Sequence, residues 1–214
     1  MTLKVCLFIQ VFSISNINTY EIELAPTNPS KQHFVLVHGS CFGAWSWYKL
    51  VTLIRSSGHN VTALDLAASG VDPRQAKDLR SISDYLKPLK DFMEAVDGKV
   101  ILVGHSLDPI INLLYYNLLQ DVALGSMLMR PVRLFSEEDL SKELKLTNEK
   151  YGSVNRVYVI SDGDLVGKKD FQRWMIKKNQ PNSVVEIAGS DHMVMISKPL
   201  ELWLHLQRII KKYT

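Results

Sequence analysis

The chain has 214 residues, enough for one domain with a substantial core. With 46% hydrophobic and 22% charged residues it has an ordinary globular composition, and its net charge of +3 is too weak and scattered for a nucleic-acid-binding face. Cys6 and Cys41 match neither a zinc spacing nor a disulfide framework and suit a reducing, cytoplasmic setting, while no apolar run reaches the roughly 18–20 residues that span a bilayer.

The first segment is open to more than one reading. Lys4 precedes an apolar run at 5–12, interrupted by Gln10 and followed by Ser13 and Ser15. That pattern fits a minimal signal-like leader, a disordered extension or a strand, so residues 1–31 are set apart from a single domain over 32–214. Residues 20–24 alternate like a half-exposed strand, closed by Pro26 and Pro29. A continuous apolar strand at 34–37 is what a sheet covered on both faces requires. A helix over 48–57 stops at Gly58, and a strand follows at 61–64. Between Asp84 and Val96, the residues Leu86, Leu89, Phe92, Met93 and Val96 recur at helical spacing. A strand at 100–103 leads into an apolar helix near 110–119, and Ser136 caps a helix opening with Glu137, Glu138 and Asp139. A strand at 157–160, a helix at 171–178, a strand at 184–187 and a final helix with Leu202, Leu206, Ile209 and Ile210 on one face complete the chain. This alternation predicts an α/β architecture, with a mostly parallel sheet and helices on both faces.

The chemistry concentrates at the ends of those strands. Gly104-His105-Ser106 turns from strand to helix, which would raise the Ser106 hydroxyl above the sheet on the nucleophile elbow of an α/β-hydrolase. Such a serine needs a base and a residue that orients the base, arriving later in the order acid, then histidine. Asp164 follows the strand ending at Ile160, and His192 follows the strand ending at Ile187; Asp162 competes for the role of acid. An oxyanion hole would draw on the backbone N–H groups of Ser40, in the small-residue loop His38-Gly39-Ser40-Cys41-Phe42-Gly43, and of Leu107. His38 and His105 read as residues that shape these turns, and Trp45 and Trp47 as packing that anchors the loop, with the border of a substrate cavity as their alternative role.

The runs 33–39, 43–50 and 58–70, together with Lys99 to Leu107, Arg130-Pro131, Phe171-Gln172-Arg173-Trp174 and Asp191-His192-Met193, closely resemble the plant methylesterase family, whose relatives include the hydroxynitrile lyases. The resemblance implies hydrolysis of a small carboxylic methyl ester, such as methyl salicylate, methyl jasmonate or methyl indole-acetate. The reaction would pass through an acyl-serine with no cofactor. Lyases resembling this family carry threonine and lysine at the positions of Gly39 and Met193, which favours the esterase.

Three departures qualify that expectation. The family's elbow ends in glycine where this chain has Asp108, followed by Pro109, which places a carboxylate near the oxyanion. The stretch from Ser106 to Asp164 is several tens of residues shorter than in the family, removing much of the cap and one core strand. The strand ending at Ile160 must then pair directly with that at 100–103 or leave a gap. Residues 1–31 have no family counterpart. The alternatives to an active serine esterase are a catalytically impaired relative that binds a small hormone-like acid or ester and, more weakly, a hydroxynitrile lyase. Loss of the cap would expose apolar surface and favour a homodimer.

Overall fold

The computed structural model describes residues 10–14, 31–106, 121–144 and 154–213. Its centre is a six-stranded sheet built from β1 (Gln10–Ile14), β2 (His33–Val37), β3 (Asn60–Leu64), β4 (Val100–Gly104), β5 (Asn155–Ser161) and β6 (Ser183–Ile187), in the order β3-β2-β4-β1-β5-β6. β2 runs parallel to β3 and to β4, and β5 runs parallel to β6. β1 is the exception, antiparallel to both of its neighbours.

The continuous apolar strands divide their side chains between two helical layers. Phe34 and Leu36 of β2, Ile101 and Val103 of β4, and Val157 and Val159 of β5 join one core with α1 (Tyr48–Ser56), α6 (Val194–Ser197) and α7 (Pro199–Tyr213). The alternate residues Val35, Val37, Val100 and Leu102 face α2 (Ile82–Ala95) and α4 (Glu137–Glu143), while Tyr158 and Ile160 meet Met175 and Ile176 of α5 (Lys169–Lys178). The period of two is what puts covering helices on both faces.

Capping chemistry sets the starts of α2 and α4. Ser81 Oγ accepts the Asp84 N–H at 3.1 Å while the Asp84 carboxylate accepts the Ser81 N–H, a capping box that opens α2 at Ile82, ahead of the expected start at Asp84. Ser136 Oγ accepts the Asp139 N–H and caps α4 as its sequence implies. Gly58 follows α1 with a φ of +83°, the left-handed stop that favours glycine. Two short helices, α3 (Val122–Leu128) and α6, have no counterpart in the periodicity.

The shortened stretch after the elbow resolves in neither of the two ways the sequence suggests. β5 does not pair with β4, and no gap separates them. β1 fills the slot, with Gln10 opposite both Gly104 and Tyr158. The expected strand at 20–24 and helix at 110–119 lie outside the described residues. Among the described residues, no helix is long and apolar enough to cross a membrane.

Candidate active site

Ser106 stands two residues beyond the end of β4 and is 1% exposed. The loop after β2 folds against it: the His105 N–H reaches the Val37 carbonyl, and the Ser40 N–H donates to the Ser106 carbonyl at 3.0 Å. Gly39 sits at the tightest point of this approach. A Cβ there would fall 2.3 Å from the Ser106 carbonyl oxygen and 2.8 Å from His105 Nδ1, so only glycine fits.

That contact bears on one sequence expectation. The Ser40 amide lies beside the elbow as anticipated, but its hydrogen is engaged by the carbonyl of Ser106 and is not presented to an incoming acyl oxygen. Leu107, the second expected donor, lies outside the described residues, as do Asp108 and Pro109.

Asp164 and His192 come together at the ends of β5 and β6. His192 Nδ1 is 2.9 Å from Asp164 Oδ2, and the pair is enclosed, with side-chain exposures of 9% and 1%. Asp164 Oδ1 accepts the Val166 and Gly167 N–H groups at 2.7 and 3.0 Å. Burial alone would raise this carboxyl, but the His192 hydrogen bond and charge, with the two amides, outweigh it and hold Asp164 below the usual carboxylate range. Asp162 points elsewhere, accepting the Gly189 N–H at 2.6 Å and tying the β5 loop to the β6 loop.

His105 links the elbow to this pair. Its Nε2–H donates to the His192 carbonyl at 2.9 Å, and the two imidazole rings lie 4.8 Å apart. Burial, reinforced by His192, pushes its pKa down to about 3, so it remains neutral and holds position. His38 is equally fixed: Nδ1–H donates to the Gly39 carbonyl and Nε2 accepts the Leu66 N–H, and burial again lowers its pKa. Trp47 is fully buried in the core, edge-on to His105, and Trp45 tilts against Phe42, which is the packing role expected of both.

Three positioning residues escaped the sequence reading. Asp65 Oδ1 accepts the Ala44 N–H at 2.6 Å and Oδ2 the Val71 N–H at 3.1 Å, clamping the loop after β2 to the one after β3. Its carboxyl fills the space a Cβ would need at Gly43 and at Gly70, where φ is +50°. An acid directly after a strand and ahead of a glycine was the available signal. Gln172, 0% exposed, donates to the Ser161 and Gly167 carbonyls and accepts the Ser161 N–H, pinning both ends of the loop that carries Asp164. Arg130 donates from its backbone to the Cys41 carbonyl and from its guanidinium to the carbonyls of Gly70, Asp72 and Arg74. It braces Cys41, whose φ of 69° is unusual for a side-chain-bearing residue.

The same corner carries an acid-sensitive contact. The Arg74 guanidinium, aided by the Ala68 and Arg74 amides and opposed by burial, lowers Asp72 to about 2. A depressed folded pKa contributes stability that is present above the ordinary carboxylate range and is lost as pH falls through the folded value. The stability of the protein is therefore expected to fall between about pH 4 and 2, and Asp72→Asn should flatten that part of the profile. Denaturant midpoints of both proteins across this range check it, and identical slopes would refute the assignment.

A family model described as "Alpha/beta hydrolase family" matches residues 34–107. Methyl jasmonate esterase 1 of Vitis vinifera is 40% identical over 257 aligned positions, taking in 86% of this chain and 98% of the relative. Since 86% of 214 residues falls well short of 257, that relative has a stretch with no counterpart here. An α-hydroxynitrile lyase of Arabidopsis thaliana is 35% identical, with 86% of this chain and 98% of the relative covered. Among solved structures, tomato methylketone synthase I complexed with 2-tridecanone superposes with a TM-score of 0.80 at 37% identity, covering 86% of this chain and 99% of that one.

Proposed function

This chain belongs to the plant methylesterase family of α/β-hydrolases, and we propose on that premise that it is a serine esterase cleaving small carboxylic methyl esters. Ser106 attacks the ester carbonyl, and His192 takes the serine proton and passes it to the departing methoxide. Methanol leaves, and water activated by the same histidine then releases the free acid from the acyl-serine. Asp164 holds the imidazole in the tautomer that leaves Nε2 able to accept. What carries this reading is the 2.9 Å pairing of a deeply buried, amide-held carboxylate with His192, itself bound through its carbonyl to the residue before Ser106. The test is covalent labelling by a fluorophosphonate, which requires an activated serine but no knowledge of the natural ester. The label should map to Ser106.

One observation favours a second reading, a relative that binds a small acid or ester without turning it over. With the Ser40 N–H engaged by the Ser106 carbonyl, an oxyanion must displace that contact before it is stabilised. Loss of one such donor costs serine hydrolases on the order of 10²–10³ in kcat. Under this reading the protein melts at higher temperature with methyl salicylate or its acid, yet takes no label.

The lyase arrangement is disfavoured on steric grounds. Gly39 has no room for the threonine of the lyases, and Met193, at the lysine position, is 2% exposed in the α7-side core. Gly39→Thr is therefore expected to destabilise the protein by at least the ~1–3 kcal/mol of an overpacked site and to abolish ester hydrolysis without producing mandelonitrile cleavage. Thermal melts and both assays check this, and an unchanged melting temperature would contradict the packing argument.

A further inference from the structure

We propose that β1 is a positioning element of the site, a strand from outside the family's common chain that holds Ser106 in register with Asp164 and His192. The proposal rests on the reading of those three residues as the reacting set. Ser106 follows β4, while Asp164 and His192 follow β5 and β6, so the sheet must fix the separation of β4 from β5. Neighbouring strands lie ~4.8 Å apart, and with one strand between them β4 and β5 are about twice that distance from each other, beyond hydrogen-bonding reach. Among the described strands of the sheet only β1 connects the two halves, pairing residue for residue with Val100–Gly104 on one side and with residues 155–158 on the other.

The direction of insertion follows from the chain's course. Ile14 pairs with Val100, so β1 finishes at the end of the sheet where β2 begins. An antiparallel strand can reach β2 without crossing the sheet, whereas a parallel one would need a crossover connection. The sequence Gln10-Val11-Phe12-Ser13-Ile14 also suits an interior strand. Every residue of β4 is buried, and without β1 one edge of it would leave backbone N–H and C=O groups unpaired inside the protein. The helical core on the α7 side spans both halves independently, since Ile101 and Val103 share it with Val157, Val159 and Ile187. Loosening β1 should therefore shift the register of the two halves before it separates them.

The test uses the full chain. In the wild type, the amides of residues 11–13 should exchange with solvent as slowly as those of β4; exchange at the rate of an unstructured peptide overturns the proposal. Phe12→Pro removes a ladder hydrogen bond from a strand paired on both edges. It should lower the rate of fluorophosphonate labelling at Ser106 and the kcat for a p-nitrophenyl ester at least tenfold, well below the melting temperature and with KM little changed. A synthetic peptide of residues 8–16 should restore labelling, and the same peptide with proline at position 12 should not. Wild-type labelling rates in Phe12→Pro, or rescue by both peptides, overturns the proposal. If the wild type takes no label, the hydrolase reading fails, while amide exchange and fluorescence-anisotropy binding of the peptide to Phe12→Pro still decide whether β1 occupies the slot.

Discussion

Ser106→Ala is expected to reduce hydrolysis of a short p-nitrophenyl ester to background, a loss on the order of 10⁴–10⁶ in kcat. The size follows from the interdependence of the three groups. His192, oriented by Asp164, has no proton to remove once the hydroxyl is gone, and the remaining acceleration must come from binding and the oxyanion hole alone. In related chemistry that remainder is ~10³–10⁴ over water. It should be smaller here, because the Ser40 amide already serves the Ser106 carbonyl and that backbone contact survives the substitution. The substitution removes one oxygen from a site that is 1% exposed and leaves the backbone turn in place, so stability should change by no more than ~1 kcal/mol. The variant must therefore be folded and inactive, and unable to take a fluorophosphonate. Equal hydrolysis by wild type and variant would sink the catalytic reading. A wild type that neither hydrolyses nor labels, but melts later with methyl salicylate, would establish the binding reading instead.

What the sequence made legible was governed by local periodicity and by position after a strand. The apolar run at 34–37 announced a strand covered on both faces, and the structure sends Phe34 and Leu36 to one core and Val35 and Val37 to the other. Asp164 and His192 were recognisable because each follows the end of a strand, acid before histidine as in this fold, and the two side chains meet at 2.9 Å. The unread features depend on partners remote in the chain. β1, open to several readings in the sequence, is placed by strands that follow it by about 90 and 145 residues along the chain. Gln172 is a polar side chain at a buried helical position, explained only by the loop carbonyls and amide it meets. The engagement of the Ser40 amide is likewise invisible to composition or spacing, since it follows from how closely Gly39 lets two loops approach.

Asp164→Asn tests the orienting role with almost no change of shape. Oδ1 of the aspartate accepts two backbone N–H groups, from Val166 and Gly167, while Oδ2 faces His192 Nδ1. An asparagine placed here keeps its carbonyl oxygen on the two amides, because the reverse orientation would set an NH₂ against two donors at a buried site and cost about 1–3 kcal/mol. The NH₂ must then face Nδ1, which becomes an acceptor and moves the imidazole proton to Nε2. In that tautomer Nε2 cannot take the proton of Ser106, and kcat should fall by about 10⁴, as expected when a triad's carboxylate is replaced by its amide. Binding of the ester should barely change, so the loss belongs in kcat and not in KM. Because Asp164 is held below the usual carboxylate range, it stays ionised through mildly acidic pH, and its own titration should not enter the wild-type rate profile there. Steady-state kinetics from pH 5 to 9 on both proteins, with denaturation midpoints to confirm folding, provide the measurement. An Asp164→Asn protein within tenfold of the wild-type kcat would show that another group orients His192, and the buried pairing at 2.9 Å would then be structural.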